Sequence, residues 1–174
     1  MTEPQDIIGK GKWLELVREG KWEFVRRNRG HAVIAILAIT DADEIVIVEQ
    51  YRPAIGASCL ELPAGLVGDD SGQEGEDLLP AAMRELEEET GYAAQHWQLL
   101  YAGASSTGLT TEICTLFLAK GLRKVAIGGG VEGENITVHL VPLASAPDWL
   151  RNQQQAGAVI DIKLWGALSS GVIS

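Results

Sequence analysis

With 174 residues, 46% of them hydrophobic, the chain is long enough to bury one substantial core and short for two domains of ordinary size. Lys+Arg 14 against Asp+Glu 24 gives a formal net charge of −10 with no basic stripe to offset it, which argues against a nucleic-acid partner. No apolar stretch approaches the ~20 residues that span a bilayer, and Met1-Thr2-Glu3-Pro4-Gln5-Asp6 lacks the basic start and apolar run of a signal peptide, so a cytoplasmic protein with no membrane partner is expected.

In chain order, Lys12 to Val17 and Trp22 to Arg26 are aromatic-bearing runs parted by the turn-like Glu19-Gly20-Lys21, which predicts an N-terminal hairpin. His31 to Ile39 is nearly continuous apolar sequence, as in a strand buried on both faces. Asp41-Ala42-Asp43-Glu44 turns the chain into a second central strand, Ile45 to Tyr51. A short strand over Ser58 to Leu62 leads into Pro63-Ala64-Gly65, and a Gly-rich polar loop runs from Gly68 to Gly75.

A helix is predicted from about Asp77 to Thr90, where Leu79, Ala82, Met83 and Leu86 recur at three- and four-residue steps and Gly91 supplies the stop. Pro80 is tolerated in the first turn. Trp97 to Ala102, Thr111 to Ala119 and Asn135 to Leu143 read as strands, with a loop at Gly128-Gly129-Gly130. Helices near Pro147 to Gln155 and Asp161 to Leu168 follow. Strands, a helix, strands and then helices predict an α+β fold, a mixed β-sheet packed between helices with an N-terminal hairpin. Cys59 and Cys114 lie in apolar, strand-like segments without metal-site spacing and are expected as buried free thiols. His31, His96 and His139 are scattered and are assigned no role.

The helix predicted from about Asp77 to Thr90 carries the chemistry. Glu85, Glu88 and Glu89 stand at i, i+3 and i+4 and so share one helical face. An acidic helix face is ordinarily just solvated, but here like charges repel at i, i+4, and Glu88 and Glu89 occupy the last turn, where the helix dipole disfavours anions. Arg84 offers the one local compensation, reaching Glu88 at i+4 while open to a carboxylate from outside the helix. A hard divalent cation would remove the repulsion by taking several carboxylate oxygens.

The segment Arg84-Glu85-Leu86-Glu87-Glu88-Glu89-Thr90-Gly91, preceded by Glu76 with seven residues between, resembles the signature of the Nudix hydrolases. Ten residues rather than five separate Gly65 from Glu76, so the Gly68 to Gly75 loop carries an insertion. Gln50-Tyr51-Arg52-Pro53 and Glu61-Leu62-Pro63-Ala64-Gly65 are similar to the ADP-ribose and nucleotide-sugar branch of that family. The resemblance implies a Nudix-type α/β/α sandwich over residues 31–174, with N-terminal strands in residues 1–30 serving base binding and dimer contacts within one structural domain.

It also implies a metal site of Glu85, Glu88, Glu89 and the Ala64 carbonyl, holding two or three Mg²⁺ that Mn²⁺ can replace. Glu76 would orient Arg84, and Glu134 or Glu132, in the loop before the last strand, would be the catalytic base as Gly128 to Gly130 flexes to close it over the substrate. Arg52 would contact the diphosphate or sugar, with Arg27, Glu61 and Glu112 also at the substrate. Trp13 and Trp22 would stack on the base, one from each subunit of a homodimer with shared active sites, and Glu23 would accept from an exocyclic amine.

The implied reaction is Mg²⁺-dependent hydrolysis of a nucleoside-diphosphate sugar, ADP-ribose-like, GDP-mannose or UDP-glucose, to a nucleoside monophosphate and a sugar phosphate. Thr107 stands where ADP-ribose-specific members have proline, which loosens the implied specificity. Other nucleotides, such as dinucleoside polyphosphates or nucleoside triphosphates, and a non-catalytic nucleotide-sensing role are the alternatives.

Overall fold

A computed structural model describes residues 4–30, 32–68, 75–131 and 133–171. Its elements are β1 (Gln5–Lys10), β2 (Leu14–Glu19), β3 (Trp22–Arg27), β4 (Ala32–Ala38), β5 (Glu44–Arg52), β6 (Ala57–Glu61) and β7 (Ala64–Val67). After them come α1 (Leu78–Thr90), β8 (Tyr92–Ala104), β9 (Ile113–Lys124), β10 (Thr137–Pro142), α2 (Ala146–Gln155), β11 (Val159–Ile160) and α3 (Ile162–Ser169). Two four-stranded mixed sheets, ordered β10-β5-β6-β11 and β7-β4-β9-β8, stand beside a three-stranded antiparallel sheet β1-β2-β3. The expected single sheet is therefore divided in two, with Ile39 and Ile45 bridging β4 to β5 at the turn between them.

The apolar run of β4 is explained by burial on both faces. Ile34, Ile36 and Ala38 point into one core with Val46, Phe117 and, from α1, Ala81, Ala82 and Leu86. Ala35, Leu37 and Ile39 point into the other, with Ile45, Ile47, Leu60, Leu62, Leu150 of α2 and Leu164 and Ala167 of α3. Period-two alternation along a strand thus feeds two cores, and α1 lies on the opposite side of the sheets from α2 and α3. The α+β expectation holds, with helices on both sides.

The helix periodicity is right in period, and Ala82 and Leu86 of the expected stripe are buried. Leu79 and Met83 are exposed, and the buried stripe is Ala81, Ala82, Leu86, Glu89 and Thr90, with Leu78 partly buried beside it. Gly91 ends α1 in the left-handed region, φ 69°, its N–H donating to the Glu87 carbonyl at 2.8 Å.

Three strands had no clear sequence signal. β1 is an exposed edge strand, and β7 is four residues long and pairs with β4. β11 is a two-residue parallel addition to β6. Cys59 and Cys114 are buried free thiols. Among the described residues no helix is long and apolar enough to cross a membrane.

Candidate metal and diphosphate site

α1, β7, β5, β6 and the loop before β10 meet at a cleft of about 450 Å³. Its lining includes Arg27, Arg52, Glu61, Ala64, Gly65, Arg84, Glu85, Glu88, Glu89, Glu112 and Glu134, so residues far apart in sequence are brought to one place. Gly65 opens the cleft to the helix: a Cβ there would sit 2.0 Å from Cδ of Glu85, so the Glu85 carboxyl occupies space that only glycine leaves.

Glu89 is 5% exposed and one of its oxygens accepts from the Ala64 N–H at 3.0 Å, tying the helix to β7. Burial pushes Glu89 up to about 8 against that hydrogen bond, with the charges of Glu85 and Glu134 adding to the rise. Burial likewise pushes Glu85 up to about 7, Arg84 opposing and Glu88 and Glu134 adding. The charge of Glu134 is thus close enough to act on both.

Arg84 organises the rest. It donates to both oxygens of Glu76, at 3.2 and 3.1 Å, to Glu85 at 2.7 Å and to Glu88 at 3.1 Å. Glu76 is thus bound to Arg84 through both of its oxygens.

Two other pairs face the cleft. Arg52 grips Glu61 through two bonds of 2.6 and 2.9 Å, and Arg27 of β3 grips Glu112 at 2.9 and 2.7 Å. Both Arg–Glu pairs unite residues expected at the substrate. Lys163 of α3 is a charged lining residue the sequence did not point to, because its helix reads as a plain core helix and reaches the cleft through packing.

The donor set suits a hard cation. Six carboxylates (Glu61, Glu85, Glu88, Glu89, Glu112 and Glu134) face four cations (Arg27, Arg52, Arg84 and Lys163), and two of the carboxylates are pushed toward neutrality by burial. Oxygen-only ligands that are buried, mutually repelling and spaced along one helix face fit Mg²⁺ or Mn²⁺. Among the described residues no three acidic, His or Cys side chains already converge as a closed cage. The reason is that Glu85 and Glu88 are turned onto Arg84, and Glu89 onto the Ala64 amide.

Two shallower hollows extend from the cleft. One of about 260 Å³ shares Arg27, Val33 and Glu112 with it, and a second of about 300 Å³ shares Thr110 and Thr111 with the first and holds Trp22, Glu23 and Thr107. β3 forms their common wall, since Val25 N–H donates to the Leu109 carbonyl at 2.7 Å and Thr111 N–H to the Val25 carbonyl at 3.2 Å. Glu23 is engaged by Arg18.

Trp13 lies away from these hollows, at the end of the hairpin opposite Trp22, with Lys12 and Arg29 over its ring. One copy of the chain therefore does not sandwich a base between the two indoles. Glu132 lies outside the described residues, as do residues 69–74 of the Gly68 to Gly75 loop.

The Gly128-Gly129-Gly130 run departs from its expected flexible role. All three glycines have positive φ, 75°, 106° and 86°, and the amides of Gly129 and Gly130 donate to the carbonyls of Glu89 and Glu88 at 2.8 and 3.0 Å. The run satisfies two carbonyls at the C-terminal end of α1.

The model of the NUDIX domain matches residues 29–160. The chain belongs to the Nudix family. It is 41% identical over 123 residues to a methanol dehydrogenase activator of Bacillus methanolicus, and 39% identical over 130 residues to an ADP-ribose pyrophosphatase of Bacillus subtilis (strain 168). These alignments take in 71% and 70% of this chain but 62% and 66% of the relatives, so the chain spans less than two thirds of the length of either. A crystal structure of an ADP compounds hydrolase shares the fold, with a TM-score of 0.71 over 87% of this chain and 82% of that one at 19% identity.

Proposed function

We propose that this Nudix chain hydrolyses the pyrophosphate bond of nucleoside-diphosphate sugars, ADP-ribose-like ones first, to a nucleoside monophosphate and a sugar phosphate. The observation that carries the reading is the cleft itself: three carboxylates of one helix face, Gly65 and Ala64 against them, Glu134 across from them, and Arg27, Arg52 and Lys163 around the rim. The likeness to the B. subtilis ADP-ribose pyrophosphatase supports an ADP-sugar substrate. Two buried unpaired thiols suit the reducing cytoplasm.

Mg²⁺, two or three ions held by Glu85, Glu88, Glu89 and the Ala64 carbonyl, would neutralise the diphosphate and acidify the attacking water. Arg52 and Lys163 bind the sugar-side phosphate, and Arg27 the nucleotide-side phosphate, which draws it from Glu112. Glu134 accepts the proton of the water at a carboxylate oxygen. Arg84, fixed by Glu76, holds Glu85 and Glu88 toward the cleft. Trp22 offers its face to the base at the far end of the β3 wall, and Trp13 of a second copy completes the stack in a homodimer.

Release of nucleoside monophosphate from ADP-ribose, ADP-glucose, GDP-mannose and UDP-glucose, with Mg²⁺ and with Mn²⁺, tests the reading. Glu89→Gln is expected to lower turnover by roughly two orders of magnitude or more with the fold retained. Near-normal turnover in that variant would overturn the metal assignment. Tight nucleotide binding without metal-dependent turnover on any of the four would favour a sensor.

A further inference from the structure

The C-terminal end of α1 and the loop that carries Glu134 are joined by a dense set of bonds that metal binding does not require. The amides of Val125 and Ala126 both donate to the Gly91 carbonyl, at 2.9 and 3.1 Å, while those of Gly129 and Gly130 donate to the carbonyls of Glu89 and Glu88. Lys124 Nζ donates to the Thr90 carbonyl at 2.8 Å and to the Ile127 carbonyl at 3.1 Å, and lies 4.7 Å from the centre of the Tyr92 ring. A cation is thus placed at the negative end of the helix dipole, where the sequence had placed only acids.

The two backbones touch. A Cβ on Gly128 would meet the Thr90 carbonyl carbon at 2.4 Å, and one on Gly91 would meet the Ala126 carbonyl oxygen at 2.3 Å. On the far side of the loop the Gly129 carbonyl accepts from Ile136 N–H at 3.2 Å, and a Glu134 carboxylate oxygen accepts from Val131 N–H at 3.0 Å. A Cβ on Gly130 would collide with that carboxylate at 2.6 Å. Glu88 and Glu89 give their side chains to the cleft and their carbonyls to the loop, so a chain of contacts of one or two residues links them to Glu134.

We propose that Lys124 and the Gly128 to Gly130 run form a clamp that fastens the root of the Glu134 loop to the C-terminal end of the metal helix, with Lys124 a positioning residue for Glu134. This rests on the reading of Glu134 as the base. The hydrogen-bond partners of Lys124, the Thr90 and Ile127 carbonyls, do not line the cleft; it acts by holding the helix end and the loop at a fixed separation. A displacement on the order of 1 Å at a proton acceptor costs up to ~100-fold in rate.

The test uses the full chain with Mg²⁺ and ADP-ribose. Lys124→Met is expected to lower kcat roughly tenfold or more with KM within about twofold, Lys124→Arg to restore most of it, and Lys124→Met/Glu134→Gln to be no slower than Glu134→Gln alone. Hydrogen exchange at the Gly129 and Gly130 amides is expected to speed up in Lys124→Met while the middle of α1 stays protected. Full activity and unchanged exchange in Lys124→Met would overturn the clamp, as would a double variant slower by the product of the two single effects. A Glu134→Gln variant with near-normal turnover would instead remove the base assignment, and the positioning role with it, while amide exchange would still report whether Lys124 holds the loop.

Discussion

Among the described carboxylates, Glu85 and Glu89 are the ones whose titration folding alters most. Both ordinarily titrate near 4.5, and burial raises them to about 7 and 8. The folded, metal-free chain therefore binds more protons than the unfolded chain across that window, and stability falls as pH rises through it. The stabilising contribution is complete below about pH 4.5 and lost by about pH 8, each pKa unit being ~1.4 kcal/mol. The metal-free melting temperature of the wild type is thus expected to drop relative to that of Glu85→Gln/Glu89→Gln between pH 5 and 8.5. Added Mg²⁺ is expected to stabilise the wild type more at pH 8.5 than at pH 6, since it binds the ionised forms. Parallel curves for the two proteins would contradict the burial.

Gly65 sharpens the same point. The three atoms nearest an added Cβ are all side-chain atoms of Glu85, so Gly65→Ala first displaces a movable carboxyl. Near-wild-type melting with Mg²⁺ activation shifted roughly tenfold to higher concentration is expected, read from turnover against Mg²⁺. An unshifted activation curve would mean that Glu85 holds no ion.

At the scale of elements, α1 is tied to the rest of the molecule by charge as well as by packing. Arg84 is the hub, with Glu76 before the helix and Glu85 and Glu88 on it. Removing it leaves three carboxylates without their shared cation in a partly buried setting. Arg84→Met is expected to cost about 3 kcal/mol in metal-free urea unfolding, with Arg84→Lys intermediate because one ammonium cannot reproduce the guanidinium fork. Mg²⁺ should recover part of the loss by relieving the repulsion between Glu85 and Glu88. A cost below ~0.5 kcal/mol in Arg84→Met would show that the network is idle. The existence, period and stop of α1 and the burial of Ala82 and Leu86 were legible in the sequence, but the exposure of Leu79 and Met83 was not. Two alanines and Leu86 fill the tight space under β4, and the longer Leu79 and Met83 are left outside.

At the scale of the whole molecule, the N-terminal sheet inverts the usual order of inside and outside. Along β2, Glu15 and Val17 are buried while Leu14 and Leu16 are exposed, and Ile7, Ile8, Trp13 and Trp22 are exposed with them. Glu15 is accommodated by Lys10 and Arg26. Exposed apolar residues gathered on one small sheet are what the proposed homodimer would cover. Leu16→Glu is expected to shift sedimentation equilibrium from dimer to monomer and to weaken substrate binding, with the thermal melt of the main fold little changed. A wild type that sediments as a monomer at all concentrations would remove the shared-site proposal.

The sequence by itself determined the α+β class, the two-faced strand β4, the helix with its glycine stop, and the carboxylates at i, i+3 and i+4. These are written in local periodicity, which a chain carries without tertiary contacts. Family likeness added Arg52, Glu61, Ala64, Gly65 and Glu134 as partners of that helix, and the structure brings them to its face. Tertiary structure alone decided that the apolar run serves two sheets, that Lys163 reaches the cleft, and that Arg27 is held by Glu112. It also decided that the triple glycine fastens a loop to the helix end. Each of these depends on the separation and direction of backbones distant in sequence, which no local pattern encodes.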